Sequence, residues 1–285
     1  MKIKTKQSQT DFQVNQLPHN RVQVFWDVLK LHWRTFLILD LVLFVGILPL
    51  LAVLFFRDNY ALGLAAKVAE GTMSAEDRLA TLKYAHLICA GICWVCLYIF
   101  AIAVCFVTRF IRQLSWYEPL FVKEDLSMAL KTGYGTAAIC ATFAGIIIVI
   151  QKAMLFVTDI IWIQVIPVAI FLTFIGLPLL LTFVQSTMYI GKFSQMLKNG
   201  VIIYFKEAPK VLLFGLLLFT PLLFTMLEQF LIVKYIVVVA YVILFETLFI
   251  FMFYLCCNSI FDKYINKEQF PQIYRKGLYA GLENK

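Results

Sequence analysis

Two acids stand in otherwise apolar stretches of this chain: Asp40, in Ile38-Leu39-Asp40-Leu41, and Glu246, in Phe245-Glu246-Thr247. A charged side chain at the centre of a membrane helix costs roughly 2.5–3.5 kcal/mol on insertion scales, so each needs a reason for its place. Glu246 can serve as a proton or cation site, or as a carboxyl hydrogen-bonded to a neighbouring helix. The bonded, structural role is favoured, with transport and partner contact behind it. Asp40 falls about two turns inside its apolar stretch, where Arg34 or a loop lysine can reach it, and its structural reading is stronger still. The seven cysteines include Cys93-x-x-Cys96. Cys89, Cys93 and Cys96 fall at helical packing spacing, without the further His or Cys that a metal site wants, so they read as small hydrophobes. His19, His32 and His86 belong to no H-E-x-x-H motif, and there is no P-loop, G-x-G-x-x-G or G-x-S-x-G. The reading is therefore no catalytic residue, no cofactor, no metal and no enzymatic activity.

The elements that would position these acids follow from composition. Of 285 residues, 62% are hydrophobic and 15% charged, with mean hydropathy +0.84. Soluble domains are about half apolar and a quarter charged, so a disordered chain, a disulfide scaffold and an ordinary nucleotide-binding enzyme are all excluded. A bilayer core needs roughly 20 apolar residues of helix. Six stretches meet that test: 35–56, 85–107, 134–157, 160–184, 211–230 and 235–257. The expected fold is an all-α, polytopic bundle of six transmembrane helices. A barrel would show shorter alternating segments. Thr158 and Asp159 are expected to form one tight surface hairpin, and Gln229 and Lys234 another. Residues 1–20 are polar and basic, unlike a removable signal.

Charge orients the bundle. Nineteen of the 25 Lys and Arg fall on the side holding both termini, which places the N- and C-termini in the cytoplasm. Topology and anionic inner-leaflet lipid account for this basic excess, and nucleic-acid binding is not expected.

The division along the chain is a cytoplasmic N-terminal segment (1–34), a transmembrane domain (35–257) and a cytoplasmic tail (258–285). Phe25, Trp26 and Trp33 mark an interfacial amphipathic helix before the first span, and Trp116 a further anchor after the second. Asp125 can cap another such helix. Met188, Phe193, Met196, Leu197, Val201 and Phe205 form a third apolar stripe. Leu29-Lys30, Leu130-Lys131 and Leu197-Lys198 each precede an inward-to-outward span, suggesting three helical-hairpin repeats. Pro49, Pro178 and Pro221 echo that pattern weakly. The sizeable outer loop, 57–84, holds Ser74-Ala75-Glu76-Asp77, a capping-box-like helix start. Gly133, Ala137, Ala141 and Gly145 give the third span one smooth face, for packing within the bundle ahead of contact with a partner.

Several segments together resemble the YesL-like family of Gram-positive bacterial integral membrane proteins. They are Phe25-Trp26-Asp27-Val28-Leu29-Lys30, Leu48-Pro49, Gly176-Leu177-Pro178-Leu179-Leu180, Met196-Leu197-Lys198-Asn199 and Phe261-Asp262-Lys263-Tyr264-Ile265-Asn266-Lys267. The resemblance covers most of the chain, and its motifs are diffuse. The family has no assigned activity, so no site residue carries over. It implies a bacterial cell membrane and a setting beside ABC-type carbohydrate importers. The function expected is a non-enzymatic accessory subunit or assembly factor of such an importer. Its partners would be membrane lipid and an importer permease or ATPase, or a second copy in a homo-oligomer. The alternative is a small secondary transporter or channel using Glu246.

Overall fold

The computed structural model describes residues 17–120, 122–157, 161–218 and 231–279, and every regular element among them is a helix. A long hairpin of α1 (Arg21–Ala69) and α2 (Ala75–Ser115) comes first. Next, α3 (Val122–Thr132) leads into α4 (Tyr134–Ala153), which tightens into a 3-10 turn (Met154–Phe156). The chain returns through α5 (Ile161–Phe171), a π-helical turn (Leu172–Gly176) and α6 (Leu177–Met188). Then come α7 (Phe193–Lys206), α8 (Ala208–Leu218), α9 (Leu231–Leu244) and α10 (Glu246–Phe261). A second π-helical turn (Asp262–Asn266) and the short α11 (Lys267–Gln269) finish the helical part.

Among the described residues, five helical stretches are long and apolar enough to cross a membrane: Arg21–Ala69, Ala75–Ser115, Tyr134–Phe156, Ile166–Met188 and Glu246–Gln269. The chain is thus a helical membrane protein. Of the six expected spans, the fifth is described only in part and the sixth takes a different form. The fifth appears as the 11 residues of α8, and its far half, 219–230, with Pro221 and Gln229, lies outside the described residues, as do Thr158 and Asp159. The sixth is not one helix. Phe245 (φ −132°, ψ −20°) interrupts it and separates α9 from α10.

The pairings close into a ring: α1 lies along α2, α2 along α4, α4 against α6, α6 against α8, and α8 along α10, which returns to α1. Phe251, Tyr254, Phe261, Ile111 and Leu181 are fully buried inside it. Outward faces are apolar too, as at Val45, Phe56, Ile88 and Val95, each more than 60% exposed. Such a surface is unfavourable in water and ordinary in hydrocarbon. Both ends of the described chain meet at one end of the ring, where the Tyr279 N–H donates to the Pro18 carbonyl (2.9 Å). That end is called the terminal end below.

Other expectations shift in detail. The outer loop is almost all helix: α1 continues to Ala69, α2 begins at Ala75, and the turn is five residues long. Ser74 caps α2, accepting from Asp77 N (3.0 Å) and donating to Asp77 Oδ2 (2.7 Å). The aromatic-basic segment is the start of α1, set off by a kink at His32 (φ −126°, ψ 21°). Helix α3 begins at Val122, ahead of Asp125, whose side chain lies outside the described residues. In α7 the buried face is Met196, Gly200, Ile203 and Tyr204, whereas Phe205 points outward. Lys234 is not in a surface turn. It belongs to α9, is 2% exposed, and donates to Asp58 Oδ2 (2.6 Å) at the end opposite the termini.

Candidate functional site: a broken helix and a buried polar belt

A helix interruption leaves backbone groups without their usual partners. At Phe245 the α10 helix begins anew, with Glu246 as its first residue. In an unbroken helix the Thr247 N–H would bond the carbonyl four residues back, that of Ile243. Here it donates to Asp40 Oδ1 of α1 instead, at 2.7 Å. Asp40 is 1% exposed and Thr247 fully buried. An acid at the start of a helix also meets the positive end of the helix dipole. Asp40 thus does for α10 what an N-cap side chain does, but from another helix, while Phe245 holds the N-cap position itself. Arg34 is engaged elsewhere: its guanidinium lies over the Trp33 ring, 5.4 Å from the centroid.

Glu246 is half-buried, but its Oε2 is fully enclosed and accepts no hydrogen bond. Its neighbour Thr247 binds Asp40, so both acids lie at the same interruption. The structure therefore unites the two acids singled out from sequence, 206 positions apart, at a discontinuity that sequence patterning does not show.

The small-residue face of α4 turns inward. Ala137 and Ala141 are buried, and a Cβ added at Gly145 would fall 1.9 Å from Trp94 of α2. Gly133 sits against Cys105 and Thr187. The aromatic anchors divide into two kinds. Trp26 and Trp33 are about half exposed, whereas Phe25 stacks on Phe251 (5.7 Å) and Trp116 is 8% exposed inside the terminal end. All seven cysteines are free thiols, buried or half-buried, and no group of three metal-ligating side chains occurs among the described residues.

A second polar constellation was not singled out from sequence. At the terminal end Arg21 pairs with Asp262 (2.6 Å) and donates to the Lys276 carbonyl (2.9 Å). Asp262 Oδ1 accepts from Asn266 (2.8 Å) and from Arg275 N (3.1 Å). The Tyr189 hydroxyl donates to Asn266 Oδ1 (2.6 Å), and Arg112 donates to the Thr187 carbonyl (2.8 Å). With its amide oxygen turned toward them, Asn258 accepts from Trp116 Nε1 and Arg21 Nη1, both at 3.3 Å. Asn258, Asp262 and Asn266 recur every four residues, a polar stripe that would have exposed the belt in the sequence. Above it, Gly277 (φ +82°) packs so tightly that a Cβ would fall 2.4 Å from the Ser115 carbonyl oxygen. Lys276 Nζ bonds Glu118 and lies 4.6 Å from the Trp116 centroid. Nearby, Glu207 accepts from Lys263 (2.7 Å) and pairs with Lys210 (3.0 Å). The hydrogen bonds from Lys263 and Lys210 hold its carboxyl down, to about 2.

Comparison with known protein families, with curated proteins and with solved structures finds no match to this chain in any of the three.

Proposed function

We propose that this protein is a non-enzymatic accessory subunit or assembly factor of a bacterial cell membrane, serving an ABC-type carbohydrate importer. One observation supports this reading best: three buried charged contacts are committed to holding the bundle together. Asp40 caps α10, Arg21 and Asp262 bind the chain ends, and Lys234 binds Asp58. Such use favours a protein that acts through its surfaces. The importer itself rests on the resemblance to the YesL-like family. In this proposal 211–230 completes a sixth span, and both termini are cytoplasmic. The bundle then reads as three hairpins, led by the start of α1, by α3 and by α7. Purification in mild detergent should recover an importer permease or ATPase, and deletion should lower sugar uptake. Uptake unchanged by deletion, with neither protein recovered, refutes the reading.

The broken helix favours a second reading, a small transporter. Interrupted membrane helices are where secondary transporters place substrate and ion sites, and Glu246 and Asp40 flank this interruption. Solute flux into proteoliposomes should then fall at least about tenfold in Glu246→Gln. Flux unaffected by that change ends this version.

A further inference from the structure

We propose that the interruption between α9 and α10 is a binding site for one alkali cation, of the size and hardness of Na+. The inference deepens the transporter reading by naming its ion, but the site itself stands on local geometry. Its first support is a set of oxygens. Asp40 has a second carboxylate oxygen beyond the one that caps Thr247. Glu246 Oε2 is enclosed without a hydrogen bond, and the hydroxyl of the fully buried Thr247 stands beside the Asp40 carboxyl. The Ile243 carbonyl, one turn earlier, loses the Thr247 N–H that it would otherwise accept and is the nearest backbone oxygen in the chain left to serve as a fourth ligand.

The second support is charge. Two carboxyl groups flank one interruption where the surroundings are apolar, and no Lys or Arg partner of either is found among the described residues. Intramembrane acids pair with one another, with cations or with backbone. A bound monovalent cation removes one negative charge, and the partial positive charge at the start of α10 offsets part of the other. Divalent ions fit poorly. Ca2+ takes six to eight oxygens, and Mg2+ holds several waters in an octahedron, whereas this site offers about four oxygens in an apolar interior. Oxygen donors suit hard ions, as they do in the interrupted helices of transporters.

The test is thermal unfolding of the full-length protein in detergent at fixed ionic strength, replacing choline with Na+, K+, Mg2+ or Ca2+. Na+ should raise the melting temperature by an amount that grows with the logarithm of its concentration. Asp40→Asn keeps the acceptor for Thr247, and Glu246→Gln keeps the side-chain shape, so both variants should fold. Each should weaken Na+ at least about tenfold, and Thr247→Val severalfold. Equal melting in choline and Na+, or undiminished Na+ response in both acid variants, overturns the site. A response to Mg2+ or Ca2+ alone, or to acidification alone, overturns the alkali assignment. Na+ binding without Na+-driven flux in proteoliposomes leaves the site intact and refutes only the transporter reading.

Discussion

Asp40 and Glu246 sit at the same interruption but do different work there. Asp40 is tied to a backbone N–H, whereas the enclosed oxygen of Glu246 is tied to nothing. Replacing Asp40 by Ala should therefore destabilise the protein by about 0.5–2 kcal/mol, the usual value of a lost cap, while Asn restores most of that. Gly145 makes a harder prediction. With Trp94 1.9 Å from where its Cβ would stand, Gly145→Ala overpacks the α2–α4 contact and should cost about 1–3 kcal/mol. Melting in detergent would show it, and a second change, Trp94→Leu, should recover part of the loss. An unaltered melting temperature in Gly145→Ala would mean that the two helices are not in close contact. At this scale the sequence was informative about which residues matter. Both acids and the small-residue face were visible from type and spacing alone. What each touches was not, because a cap supplied from another helix leaves no mark on the local pattern.

The elements show where hydropathy stops being a guide. The stretch 235–257 reads as one span because its residues are uniformly apolar, and only backbone geometry at Phe245 reveals two helices. The outer loop was underestimated for the opposite reason. Arg57, Asp58 and Lys67 are polar, yet α1 runs through them, since charge does not stop a helix once it leaves the membrane. The turn between α7 and α8 carries a titratable signature. Glu207 is held down to about 2, against an ordinary value of 4.5. A carboxyl lowered in the folded state contributes stability that is complete above about pH 4.5 and is lost as the pH falls toward 2. The melting difference between the native protein and Glu207→Gln should accordingly be constant above pH 5, then shrink below 4.5. A difference that persists unchanged at pH 3 would show that Lys263 and Lys210 do not engage the carboxylate.

On the scale of the whole molecule, ring closure draws the two ends of the described chain together and leaves the α1–α2 turn at the other end. Cysteines placed at Thr72 and at Tyr274 should therefore label from opposite sides of the membrane, the former from outside intact cells under the proposed orientation. Labelling of both from one side would contradict the arrangement. Class and membrane character were legible in composition. Of the terminal polar belt only the Asn258-Asp262-Asn266 stripe is legible in the sequence; its partners come from α1, α2, α6 and the tail and meet it only after the ring has closed.

Asp40 also sets a problem of timing. It enters the membrane in the first helix, but the N–H it caps lies 207 residues later. At synthesis rates of about 5–20 residues per second, that partner arrives roughly 10–40 s after Asp40. For that interval the newborn chain holds a carboxyl at the bilayer without its native bond, and α1 has neither α10 nor the tail to lean on. The late-made α10 is thus the element that releases α1 from waiting. A ribosome stalled before residue 247 would leave the nascent bundle open on the side of its earliest helix.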